Sequence, residues 1–147
     1  VIALVVMVPP YLSVRYVERG DDLRASDPQA ALAEYARAAD VNPLAIDPYR
    51  KRGFIALSLH DPALARRSFA RALEKRDDWV AHFELGLLDS QAGRQAAARA
   101  QIRRAAELNH NDPIVDDARA AVERGERLDP LAVNAQALDQ PALRPPP

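Results

Sequence analysis

Small apolar residues return along this chain at every third or fourth position, the spacing of one face of an α-helix. Three segments show it in register. Ala31, Tyr35 and Ala38 form the first set, Ala65, Phe69 and Ala72 the second, and Ala98, Ile102 and Ala105 the third. Each set is small, large, small, with charged or polar residues between. The pattern predicts helices over about 11–25, 28–41, 47–59, 62–75, 79–92, 95–108 and 113–125. Nowhere does apolar and polar residue alternation of strand period stand between turn signals.

The punctuation agrees. Asp27-Pro28, Asp47-Pro48, Asp61-Pro62 and Asp112-Pro113 each place an acceptor side chain before a proline at the first helical position, where a missing N–H costs nothing. Gly93 suits a helix C-terminus. Linkers of two to five residues make neighbouring helices antiparallel. After Asp129-Pro130 the periodicity fades, and the chain ends in three prolines. Residues 128–147 therefore read as a Pro-rich disordered tail.

The three sets recur at 33 to 34 positions, measured between Ala38, Ala72 and Ala105. This resembles the tetratricopeptide repeat, with its 34-residue period and A-x3-F signature. Tyr49-x2-Arg52-Gly53 and His82-x2-Leu85-Gly86 stand at the family's W-x2-L-G positions, and Pro43 at its terminal proline. Arg52 replaces the usual Leu, Ala56 and Asp89 the usual Tyr, and Asp77 and His110 the later prolines. The leading helix of the first hairpin, near Tyr16 and Gly20, matches poorly. The resemblance implies an all-α, TPR-like solenoid of about three antiparallel helical hairpins over residues 11–127, with 113–125 as a polar C-terminal capping helix. One hairpin cannot bury its apolar face alone, and stacking supplies the missing cover.

The same resemblance implies a binding groove lined by the first helix of each hairpin. Its residues would be Asp47, Arg50, Phe54, Leu57 and Ser58, then Val80, Phe83, Leu87, Ser90 and Gln91. The competing reading makes Phe54, Phe83 and Leu87 core between repeats.

Residues 1–8 are all apolar and precede Pro9-Pro10, which predicts the end of a helix there. Eight helical residues span about 12 Å against roughly 30 Å of bilayer core. Residues 1–10 are thus expected to be the end of a transmembrane helix begun upstream. A signal-peptide core or a short buried segment is the alternative, although for a signal peptide Val8-Pro9-Pro10-Tyr11 offers no small-residue cleavage site. The apolar run, Pro-Pro-Tyr-Leu-Ser-Val-Arg-Tyr and Trp79-x-Ala81-His82-Phe83-Glu84-Leu85-Gly86 also look like C-terminal repeat tails of bacterial O-antigen ligase or polymerase membrane proteins. That resemblance implies an appendage in the cell envelope, without the catalytic domain. A freestanding membrane-anchored adaptor that takes a peptide in its groove is the alternative.

Charge changes the picture only in the middle. Net charge is −1 overall, yet residues 50–104 hold 12 basic and 6 acidic side chains. Arg66, Arg67 and Arg71 fall on one second helix, and Arg99, Arg103 and Arg104 on the next. They are either a solvated face or an anion-binding stripe for acidic lipid or glycan. Without interleaved aromatics, nucleic acid is not an expected partner. The chain has no cysteine, which excludes disulfides and thiolate chemistry. His60, His82 and His110 lack helical ligand spacing, and no P-loop, G-x-S-x-G or H-E-x-x-H occurs. No metal, cofactor or catalytic residue is expected, and the module reads as a protein- or peptide-binding scaffold.

Overall fold

The computed structural model describes residues 2–139. Among them are eight helices and no strand: α1 (Ile2–Leu23), α2 (Pro28–Val41), α3 (Asp47–Ser58), α4 (Pro62–Leu73), α5 (Trp79–Gln91), α6 (Gln95–Leu108), α7 (Pro113–Glu123) and α8 (Pro130–Asp139). The all-α class and the seven helices foreseen between residues 11 and 125 are present. The chain forms two compact units, Val1–Asp77 and Asp78–Pro147.

Aspartate caps start most of these helices. Asp27, Asp61 and Asp78 accept from the backbone N–H of Ala30, Leu64 and Ala81 at 2.9 to 3.0 Å. Asp112 accepts from both Ile114 and Val115. Asp47 departs from the expectation. α3 begins one residue earlier, so that Ile46 takes the cap position without a side-chain bond. Asp47 lies inside the first turn and pairs with Arg50 instead.

In the first unit, α1 packs along α2, and α3 along both α2 and α4. Ser13 Oγ, buried midway along α1, donates to Ala38 O near the end of α2, while Asp21 near the end of α1 meets Tyr35 earlier in α2. Lys75, past the end of α4, lies over the Tyr49 ring near the start of α3. Both pairs run antiparallel. Ala31, Tyr35 and Ile55 form a buried cluster, with Val17, Leu23, Leu32 and Leu59 packed around it. Asp21 of α1 ties three helices together. Its carboxylate accepts from Tyr35 Oη at 2.8 Å and from Lys51 Nζ at 2.7 and 2.9 Å. Burial opposes ionisation of Asp21, but these donors outweigh it and hold the carboxyl below the usual carboxylate range. Burial and the facing carboxylate push the Tyr35 phenol well above its usual range.

In the second unit, α5 packs along α6, α7 along α6, and α8 against α5. Phe83, Leu87, Ala98, Ile102, Ala105, Val115, Ala118 and Val122 form its core. Each large residue of the repeating sets meets a glycine across its hairpin. Tyr35 lies on Gly20, Phe69 on Gly53, and Ile102 on Gly86.

Two expectations are corrected at the ends. α1 runs through Pro9-Pro10 rather than stopping there. Proline holds a helical φ, so the helix can continue, although each interior proline removes a hydrogen bond and crowds the carbonyl four residues before it at a cost of about 3 kcal/mol. Residues 130–139 form α8 rather than a disordered tail. Asp129-Pro130 supplies the same start signal as the earlier helices: Asp129 Oδ1 accepts from Leu131 N, and Pro130 is buried at the first helical position. The rest of the expected tail, residues 140–147, lies outside the described residues. α7, foreseen as the terminal cap, is followed by this further helix. Among the described residues no helix is long and apolar enough to cross a membrane. α1 reaches 22 residues only by including Arg15, Glu18, Arg19, Asp21 and Asp22.

Candidate functional site

The expected groove residues fall on α3 in one unit and α5 in the other. On α3 the face is open. Phe54 is 38% exposed and stacks edge-on against Phe69, centroids 5.4 Å apart. Asp47 and Ser58 are exposed beside it, and Arg50 is half-buried on its ion pair with Asp47. Ser58 Oγ donates to Ile55 O within its own helix. Leu57 departs from the groove reading, being buried. Phe54 is therefore a core residue on one edge and a surface residue on the other.

On α5 the same face is covered by the chain itself. Phe83 and Leu87 belong to the buried core, with Leu128 and Val133 packed against that cluster. Ser90 is fully buried. Its hydroxyl donates to Glu126 O at 3.1 Å and accepts from Leu128 N at 3.0 Å. Gln91 Nε2 donates to Asp129 Oδ1, and Gln95 Nε2 to Glu126 O. Val80 is half-buried. The face expected to be an open groove thus carries the C-terminal segment, because residues 126–134 return along α5.

Sequence reasoning passed over Glu84, which sits under this segment. It is 1% exposed, and its Oε2 accepts from Asn134 Nδ2 at 3.2 Å. Burial pushes its carboxyl up to about 8, a shift that the Asn134 amide reduces only in part. The group is neutral at pH 7. Its one signal in the sequence is a lone carboxyl inside the apolar run from Trp79 to Leu88.

The arginines divide between the units: Arg66, Arg67 and Arg71 on α4, Arg99, Arg103 and Arg104 on α6. Arg71 pairs with Glu74 at 2.7 Å and Arg104 with Glu107 at 2.8 Å, one turn on in each helix. These acids recur at the repeat spacing and reduce the net charge of each set of three arginines from +3 to +2. Arg66 and Arg99 are half-buried rather than outward-facing, and Arg99 Nη1 donates to Val122 O. Arg67 and Arg103 are exposed.

His82 Nδ1 meets Gln101 Oε1 at 2.5 Å across the α5–α6 hairpin, while His60 ends α3 in a left-handed conformation. Among the described residues no three His, Asp or Glu side chains gather in the manner of a metal site. Neither a family model nor a curated protein matches this chain.

Proposed function

We propose that this chain is a TPR-like, non-catalytic binding module held at a membrane of the bacterial envelope, where it presents helix faces to a protein or peptide partner. The repeated seat of a large side chain on a glycine carries the reading. Gly20, Gly53 and Gly86 stand 33 residues apart, and each meets the large residue of its own hairpin. This equivalence extends the repeat to the first hairpin, where the sequence match is poorest. A module of this kind works by its exposed face, and Phe54 with Asp47 and Ser58 offers an aromatic anchor rimmed by polar groups.

The membrane part rests on α1. Tyr11, Leu12 and Val14 are exposed directly after the apolar residues 1–8. Apolar side chains on an outer surface, with Tyr11 and Arg15 among them, suit an interface between lipid and water. In this reading the module is the C-terminal appendage of an O-antigen ligase-like membrane protein. The alternative is a freestanding anchored adaptor. The reading frame upstream of residue 1 distinguishes them, because a multi-pass region favours the first and a single anchor the second.

The test uses peptides selected from a displayed library against the full chain. Binding should fall at least tenfold on Phe54→Asp with the helical signal intact. Peptides that bind the Phe54→Asp chain equally well would remove the α3 face from the proposal. Vesicle flotation tests the tether. Replacing Tyr11, Leu12 and Val14 by Ser should reduce flotation, and unchanged flotation would count against α1 as the membrane contact.

A further inference from the structure

The first unit gathers most of its exposed apolar side chains at one end. Ser13 Oγ of α1 donates to Ala38 O of α2 at 2.9 Å, where the two helices run antiparallel. α2 ends three residues on, at Val41, and so stops level with about Pro10 of α1. Ile2 therefore lies about 12 Å beyond the end of α2, at 1.5 Å per residue. Residues 1–8, on this protruding part, are all apolar in sequence. The α2–α3 loop turns at the same level. Asn42 N donates to Ala38 O and Ala45 N to Asn42 O, each at 3.1 Å, which places Pro43 and Leu44 at the tip of the turn.

Leu44 is 83% exposed, the most open of the large apolar side chains exposed among the described residues. One exposed leucine is ordinary on a protein surface. This one stands at the level where an apolar helix leaves the unit, and Tyr11, Leu12 and Val14 are exposed on that helix within a turn. The outer face of α1 then changes character. After Val14 its exposed positions are Arg15, Glu18, Arg19 and Asp22. Apolar side chains that give way to charged ones at a single level mark a boundary between lipid and water. Net charge does not hold this end. α4 returns to it, since Lys75 lies over the Tyr49 ring. Lys75 and Arg76 are offset by Asp40 and Asp77, and Arg15, Arg50 and Arg71 each pair with an acid three residues away.

We infer that the α2–α3 loop is a second membrane contact, with Leu44 entering the lipid interface at the level where α1 does, so that the first unit stands on the bilayer by this loop end. The inference rests on α1 being the membrane contact and adds an orientation to it. A single helix leaves the unit free to rock about its point of entry. Two contacts on separate elements fix its tilt. α3 then rises from the surface. Phe54 is seven residues beyond Asp47, about 10 Å along the helix, which keeps the face proposed for a peptide in water.

The test uses the full chain and neutral phosphatidylcholine vesicles. Because the chain has no cysteine, Tyr11→Cys, Leu44→Cys and Gln29→Cys can each carry one environment-sensitive dye. Gln29 is exposed at the start of α2, the opposite end of the unit. Vesicles should brighten the dyes at 11 and 44 at least threefold and leave the dye at 29 unchanged. In the unlabelled protein, Leu44→Ser should weaken vesicle binding about tenfold with the helical signal intact, the loss expected when one leucine no longer enters lipid. The defect should be the same at about 0.05 and 0.5 M salt, since no net charge is engaged. A dye at 44 that stays silent while the dye at 11 responds would overturn the loop contact and leave the α1 tether standing. Silence at both would remove the two together. A response at all three positions would mean that the unit lies on its side, and would overturn the orientation. Binding by Leu44→Ser equal to the parent, or a defect that vanishes at high salt, would also overturn the apolar contact.

Discussion

Gly20 of α1 lies so close to the Tyr35 ring of α2 that a methyl group in its place would stand 2.7 Å from Cδ1. The same relation holds between Gly53 and Phe69, with 2.6 Å to Cε1, and between Gly86 and Ile102, with 2.5 Å to Cγ1. A helical glycine ordinarily costs about 1 kcal/mol relative to alanine. Here it permits the backbone approach that lets the large residue fill the hairpin.

Substitution by alanine should therefore destabilise, against the trend of helix propensity. Overpacking costs about 1–3 kcal/mol, which exceeds the propensity gain. Gly86→Ala should cost more than Gly20→Ala, because its neighbours include the Ile102 backbone N at 3.2 Å, while Tyr35 presents only ring atoms. Urea denaturation followed by circular dichroism would rank the two. A higher midpoint for Gly86→Ala would contradict the close approach.

Much of this was legible in local pattern. The small–large–small sets mark the buried stripes of α2, α4 and α6, because burial follows helical period when each helix packs on one side. Asp before Pro marks starts for a similarly local reason. It failed at Asp47, where a nearby Arg50 competes for the carboxylate. It was passed over at Asp129, where the Pro-rich end suggested a tail. The cover on α5 was illegible for a different reason. Ser90 meets Leu128 and Glu84 meets Asn134 across 38 and 50 residues, distances at which no periodicity speaks. A groove inferred hairpin by hairpin could not include a segment that returns from so far along the chain. The first hairpin was passed over even though Tyr16, Arg19 and Gly20 repeat the Tyr49, Arg52 and Gly53 of the second, and the glycine beneath Tyr35 is in place.

His60 offers a stabilising substitution. It ends α3 at φ 56°, and Gly93 ends α5 at φ 77°, 33 residues later. Both close the same bond pattern, His60 N to Leu57 O and Asp61 N to Ala56 O, then Gly93 N to Ser90 O and Arg94 N to Asp89 O. A left-handed backbone costs a residue with a Cβ about 1–2 kcal/mol. His60→Gly should recover part of this, leaving a net gain of about 0.5–1 kcal/mol after the greater freedom of glycine in the unfolded chain. Thermal denaturation at pH 7 would read it. Equal or lower stability would mean that the histidine side chain contributes more than its backbone costs.

Glu84 predicts an unusual pH dependence. Its carboxyl is raised to about 8 by burial, with the Asn134 amide acting in the opposite sense. The folded state therefore holds a proton that the unfolded state releases near its model value of 4.5. Between these values the folded chain binds more protons, so stability falls as pH rises. The contribution is complete below about 4.5, and its loss is complete above about 8. A loss of several kcal/mol is the right order. Glu84→Gln keeps the shape, can still meet Asn134 and removes the titration. Urea midpoints measured from pH 5 to pH 9 should decline for the parent and flatten for Glu84→Gln. Parallel slopes for the two proteins would show that the carboxyl is hydrated in solution.

The arginines give the prediction with the clearest salt signature. Arg71–Glu74 and Arg104–Glu107 are exposed pairs, each contributing about 0–1 kcal/mol to stability. Their acids matter more for the field at the surface, since each cancels a cation that would otherwise face an anionic headgroup at about 1 kcal/mol per residue. If these helices meet an acidic lipid surface, Glu74→Gln with Glu107→Gln should strengthen sedimentation with anionic vesicles. Arg67→Gln with Arg103→Gln should weaken it. Both changes should fade between about 0.05 and 0.5 M salt as the screening length contracts, and neither should alter sedimentation with neutral vesicles. Because every variant keeps α1, the comparison isolates the electrostatic part from the apolar tether. Sedimentation that ignores all four substitutions at low salt would leave the arginines as a solvated face.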